Sequence, residues 1–313
     1  MNITKSILDE CHERIKKHIH LTPVLTSHLI DKIAGANLFF KCENFQRMGA
    51  FKMRGAVNAI LQLDEESRKK GVITHSSGNF AQALSLAAKS IGIPAYIVMP
   101  SSAPRVKINA VKEYGGKITI CKATLEDRIK TTDELSNETG ATFIHPSNDI
   151  DVIIGQGTAA KELLSNQPNL DIIVTPVGGG GLIAGTALAA KFYGDLCTVI
   201  GGEPKEVDDA YRSLISGKIE TNKTTNTIAD GLKTNLGELN FPIIQSDVEK
   251  IIRVEEKEII NALRLIWERM KIVVEPSSAV ALAAILKEPE TFKGKNVGII
   301  ISGGNVDLSS LPF

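Results

Sequence analysis

The chain has 313 residues, and its 36 lysines and arginines balance 36 aspartates and glutamates to a formal net charge of zero. With 43% hydrophobic residues it holds enough apolar material for a large core, and the length suits two domains. Balanced charge, with no basic block carrying interleaved aromatics, argues against a nucleic-acid polymer and for a small-molecule substrate.

The N-terminus reads as a helix with one apolar stripe at Ile3, Ile7, Cys11, Ile15 and Ile19. His18 and His20 would then point to different faces and form no metal site. Short apolar strands alternate with helices from there on. "GVITH" is a strand and "FAQALSLAAKSIG" a helix; "PAYIVMP" a strand and "PRVKINAVKEYG" a helix. "KITICK", the helix "LEDRIKTTDELSNETG" and the strand "ATFIHP" complete a first block. The second half repeats the style with "DIIVTPV", "LIAGTALAAKFYG", "TVIGGEP" and "VDDAYRSLISGK". "EIINALRLIWERMK", "SSAVALAAILK" and the strand "NVGIIIS" follow. Such strands between helices predict an α/β protein with parallel-rich sheets covered on both faces. The break at "HPSNDID" marks the return between two α/β domains. Ligands of such sheets sit beyond the carboxyl ends of the strands. His75 and His145 each end a strand and read as structural. The four scattered cysteines, with no C-x-x-C pair, fit reduced thiols and a cytoplasmic protein. No apolar run spans a bilayer.

"DIIVTPVGGGGLIAG" runs a strand into four glycines, Gly178, Gly179, Gly180 and Gly181, and then a helix. Glycines let backbone N–H groups approach a ligand and a helix N-terminus favours an anion, so phosphate is the natural guest. A nicotinamide dinucleotide competes, because Gly179, Gly181 and Ala184 match G-x-G-x-x-A and Glu203 ends the next strand. Lys52, in "KCENFQRMGAFKMRGA", opens a helix, where the dipole disfavours a cation. Its ammonium pKa should fall, which suits a Schiff-base lysine. Lysine and phosphate loop together suggest pyridoxal phosphate.

"FKCENFQRMGAFKMRGA", "SSGNFAQAL", "PVGGGGLIAG", "TIADGL" and "SGGNVDL", in that order, resemble the serine racemase and threonine/serine dehydratase family of fold-type II pyridoxal phosphate enzymes. The likeness runs from "HLTPV" nearly to the end of the chain. It implies a large cofactor-binding domain of residues 1–70 and 149–313 and a small mobile domain of 71–148. It also implies a homodimer, and the end at Phe313 leaves no room for the regulatory domain of biosynthetic threonine dehydratases. Lys52 would be the Schiff-base lysine and the base at Cα, with Phe51 packed beside the ring. Asn79 would bond the ring's 3-hydroxyl, Gly178–Gly181 the phosphate, and Ser302 would face the pyridine nitrogen. Ser76, Ser77 and Asn79 would grip the substrate carboxylate, and Ser77 would be the second acid/base group on the opposite face of Cα.

The resemblance further implies a divalent ion (Mg²⁺, or Ca²⁺ or Mn²⁺) at Glu203, Asp209 and the Val207 carbonyl, oxygen donors that suit such ions. It places Arg128 near the substrate and Arg47, Gln82 and Tyr114 at an ATP effector site. Phe80 departs from the histidine usual in the family and cannot donate a hydrogen bond to a carboxylate. Ser147 stands where some members have asparagine. The implied activity is serine racemisation with β-elimination to pyruvate and ammonia. The alternative is an L-threonine or 3-hydroxyaspartate ammonia-lyase. A nicotinamide dehydrogenase and a non-catalytic pyridoxal phosphate binder are readings from other classes.

Overall fold

The structure, a computed structural model, describes residues 3–309 and 311–313. Two sheets organise it. The larger is drawn from both ends of the chain: β1 (Val24–Leu25), β2 (Asn37–Cys42), β7 (Ile172–Pro176), β8 (Thr198–Pro204), β9 (Lys250–Val254) and β10 (Asn296–Ile301), in the order β1-β2-β10-β7-β8-β9. Only β1 runs antiparallel to its neighbour. The smaller sheet, β3 (Val72–His75), β4 (Ala95–Pro100), β5 (Lys117–Cys121) and β6 (Thr142–Phe143), is wholly parallel in the order β5-β4-β3-β6. The chain leaves the small sheet after β6 and enters the helix Ile150–Asn166, so the break expected at "HPSNDID" is where it returns to the large one.

Burial explains the strand patterns. The central strands β7 and β10 are covered on both faces and read as unbroken apolar runs, "IIVTP" and "NVGIII". The edge strand β5 is half exposed along its length.

Two expectations change, and one helix had none. The N-terminal helix spans Lys5–Ile15, with Leu8, Cys11 and Ile15 as its buried face. Ile19, His18 and His20 lie beyond it, because Gln46 captures the chain there: its Oε1 accepts from His20 N at 2.8 Å and its Nε2 donates to His20 O at 2.8 Å. "ATFIHP" yields only two strand residues. His145 Nδ1 accepts the Ser147 N–H at 3.2 Å and the Asn148 N–H at 2.8 Å, which turns the chain away. The helix Ile150–Asn166 had no clear signal, since residues on nearly every side of it are buried and no polar face marks its period.

Candidate active site

Lys52 opens the helix Lys52–Gln62. A tight turn precedes it, with Met48 and Gly49 at φ 57° and 79°. Ala50 then bridges to Gly303, and the Phe51 N–H donates to Ser302 O at 3.0 Å. This stitches the lysine to the end of β10. Lys52 Nζ donates to Pro146 O at 2.8 Å and lies 5.0 Å from the Phe51 ring centroid and 5.7 Å from that of Phe80. Burial brings its ammonium down to about 8, against the pull of Glu275. The fall expected from the helix dipole is therefore owed mainly to desolvation.

The stretch "HSSGNF" turns from β3 into the helix Asn79–Ile91. Ser76 Oγ accepts the Gly78 N–H at 3.3 Å, and Ser77 occupies the bend between them. Phe80 is buried, with its ring toward Lys52, so a packed hydrophobe replaces the polar group usual at this position. Asn79 is held at both ends. Its Nδ2 donates to Glu275 at 2.9 and 3.1 Å, and its Oδ1 accepts from Asn305 Nδ2 at 2.9 Å. Glu275 escaped the sequence reading. It is buried at the start of the helix Pro276–Lys287, and burial, with Asp230 adding to it, holds its carboxyl up to about 7. "VVEPSS" offered only a glutamate before a helix, which ordinarily reads as a cap. Ser302 is buried with its Oγ 3.0 Å from Ser278 Oγ, and Ser278 in turn binds the Gly303 backbone.

The four glycines join β7 to the helix Gly181–Tyr193. Among the described residues no carbonyl or side-chain acceptor takes the N–H groups of Gly178–Gly181, which leaves four donors at a helix N-terminus. Neither can the loop carry side chains. A methyl carbon on Gly178 would lie 2.8 Å from Leu232 Cα, one on Gly181 3.0 Å from Ser147 Cα, and Gly180 has φ 82°. Asn240 Nδ2 ties the loop down by donating to Gly179 O at 2.9 Å and Ser147 O at 3.1 Å. A cradle of free donors, linked through the Pro146–Ser147 turn to a partly buried lysine of lowered pKa, fits pyridoxal phosphate.

Other expected residues stand apart. Arg128 is in the first turn of the helix Leu125–Thr139, its Nε 3.4 Å from Thr124 O, and its charge acts on His75 and Cys121. Arg47 donates to His18 O at 3.1 Å, Gln82 is buried on the helix Asn79–Ile91, and Tyr114 follows the helix Arg105–Glu113.

Glu203, next to last in β8 and buried, accepts from Ala210 N at 3.0 Å and Tyr211 N at 2.8 Å. Asp209, also buried, accepts from Asn222 Nδ2 at 2.7 Å and Leu236 N at 2.9 Å. Burial raises both carboxyls, Asp209 to about 6. The nearby arginines are spent on Asp208, which binds Arg212 at 2.7 Å and Arg253 at 3.0 Å. Two buried carboxylates without a cationic partner, beside the buried Val207, fit a divalent ion in donor type. Among the described residues no group of three or more His, Cys, Asp or Glu could hold a metal.

Residues 15–303 match the family of pyridoxal-phosphate dependent enzymes, and the chain belongs to that family. This removes the nicotinamide reading of the glycine loop. Over 313 residues the chain is 54% identical to a serine racemase of Dictyostelium discoideum, covering 99% of this chain and 97% of that protein. It is 50% identical over 302 residues to a beta-hydroxyaspartate dehydratase of Paracoccus denitrificans, covering 96% of each. The crystal structure of serine racemase from Dictyostelium discoideum superposes with a TM-score of 0.94 at 53% identity, covering 98% of this chain and 99% of that one. The fold is thus the two-sheet α/β arrangement of fold-type II enzymes, as expected.

Proposed function

We propose that this enzyme racemises serine and also eliminates its β-hydroxyl to give pyruvate and ammonia. The observation that carries the reading is the placement of Lys52. It is a partly buried ammonium of lowered pKa beside two aromatic rings, one of which, Phe80, follows the serine-bearing turn after β3. Identity above half to a serine racemase over nearly the whole chain supports it.

Bound here, pyridoxal phosphate would supply an electron sink that makes the Cα proton of an amino acid removable. Gly178–Gly181 would hold its phosphate, Phe51 would pack beside its ring, and Asn79 and Ser302 would meet its polar edge. Lys52, with a pKa brought to about 8, can exchange a proton near neutral pH from one face of Cα. The Ser76–Asn79 turn would grip the substrate carboxylate at the start of its helix. Ser77 would give or take the proton on the opposite face, and Arg128 would reach the substrate when residues 71–148 close as a unit over the large domain. Glu203, Asp209 and the Val207 carbonyl would bind Mg²⁺, Ca²⁺ or Mn²⁺. Arg47, Gln82 and Tyr114 would meet an ATP effector in a cytoplasmic homodimer.

The deciding experiment follows both fates of L-serine. Inversion needs proton transfer on both faces of Cα, whereas elimination needs one face and a departing hydroxyl. Ser77→Ala should abolish formation of D-serine and leave appreciable pyruvate. Racemisation at the parental rate would remove Ser77 from the mechanism, and no turnover of serine by the parent would overturn the whole reading.

A further inference from the structure

Cofactor binding in this family places two demands on the chain, an aldehyde-reactive lysine and a phosphate loop, at a fixed distance from each other. Here the two groups sit at the N-termini of separate helices, Lys52–Gln62 and Gly181–Tyr193. Neither helix is braced by the other alone. Both lie on the buried helix Ile150–Asn166, and Gly155, Gln156 and Gly157 stand at close approaches to both of them.

The crossings are backbone on backbone. A methyl carbon on Gly155 would lie 2.6 Å from Gly55 Cα and 2.8 Å from Arg54 O. One on Gly157 would lie 2.6 Å from Gly185 O. Between them Gln156 Oε1 accepts the Gly55 N–H at 3.2 Å, which satisfies a donor in the first turn of the lysine's helix. A second clamp acts two residues after Lys52. Arg54, buried, gives all five N–H donors: Nε and Nη2 to Glu43 at 2.7 and 2.8 Å, Nη1 and Nη2 to Glu162 at 2.8 Å each, and Nη1 to Thr158 at 3.1 Å. Glu162 and Thr158 belong to the same helix, Ile150–Asn166.

We infer that the helix Ile150–Asn166 is a ruler that sets the span between Lys52 and the glycine loop, with Gly155, Gly157 and Glu162 as positioning residues. A ligand gripped at two ends gains from the second grip only if the span is held. The inference rests on membership of the pyridoxal phosphate family, and its readout is the advantage that phosphate confers. Full-length apoenzyme is titrated with pyridoxal phosphate and with phosphate-free pyridoxal, and binding is followed by visible absorbance. Gly157→Ala forces the loop's helix outward, so the affinity ratio of the two ligands should fall by about tenfold or more. Glu162→Gln removes the charge that ties Arg54 to this helix, while Glu43 still holds the other side of the guanidinium, and should lower the same ratio, which decides the matter if Gly157→Ala does not fold. A core variant on the far side of the large sheet, Ile266→Ala, should melt earlier with the ratio unchanged. A fall in either positioning variant that is absent from Ile266→Ala supports the ruler. Parental ratios in the variants that fold, or an equal fall in Ile266→Ala, overturn it. Failure of the parent to bind pyridoxal phosphate would instead overturn the family reading.

Discussion

His145 controls a turn that touches two parts of the site, and its acid response can be worked out. Its Nδ1 accepts two N–H groups, from Ser147 and Asn148, which requires a neutral ring. The same turn offers Pro146 O to Lys52 and sets Ser147 against the glycine loop. Burial, with His75 and Lys52 nearby, brings the imidazole down to about 4. The unfolded chain takes up this proton near pH 6.5, and the folded one resists until about pH 4. Stability from this group is therefore present above pH 6.5 and is lost as pH falls to about 4. The full interval corresponds to roughly 3 kcal/mol, less whatever solvent screens at a partly exposed ring. His145→Asn keeps an acceptor at the Nδ1 position and removes the titration. It also loses ring contacts to His75 and Phe143, at centroid distances of 6.3 and 6.2 Å, a cost of about 1 kcal/mol. Urea unfolding at constant ionic strength between pH 4 and 8 should show the variant weaker at neutral pH and the gap closing or reversing in acid. Parallel stability curves for variant and parent would refute the assignment of the proton to His145.

Lys52→Ala should lose the visible absorbance that borohydride bleaches in the parent; a retained covalent chromophore with multiple turnovers would count against Lys52. Dialysis against a chelator should lower the melting temperature and Mg²⁺ or Ca²⁺ should restore it, because a ligand bound only by the native state stabilises it. Glu203→Gln should abolish that response, and an unchanged response would move the ion elsewhere. Saturating ATP should alter turnover of serine in the parent and not in Gln82→Ala; no effect on the parent would dismiss the effector.

Local chemistry was legible in the sequence wherever short-range rules act alone. Four glycines after an apolar strand marked a turn whose backbone donors stay bare, and alternating strands and helices dictated parallel sheets. The lysine at a helix start was legible too, although the reason for its lowered pKa was not. That cause is the desolvation of its ammonium where separate elements pack around it, and sequence cannot measure burial between separate elements. Glu275 stayed hidden for the same reason: its raised pKa and its hold on Asn79, 196 positions away, exist only once the starts of the helices Pro276–Lys287 and Asn79–Ile91 meet. The helix Ile150–Asn166 was the hardest to read, because a helix buried nearly all round shows no amphipathic period. Only the packed structure shows that Gly155 and Gly157 lie where two other helices come close to it.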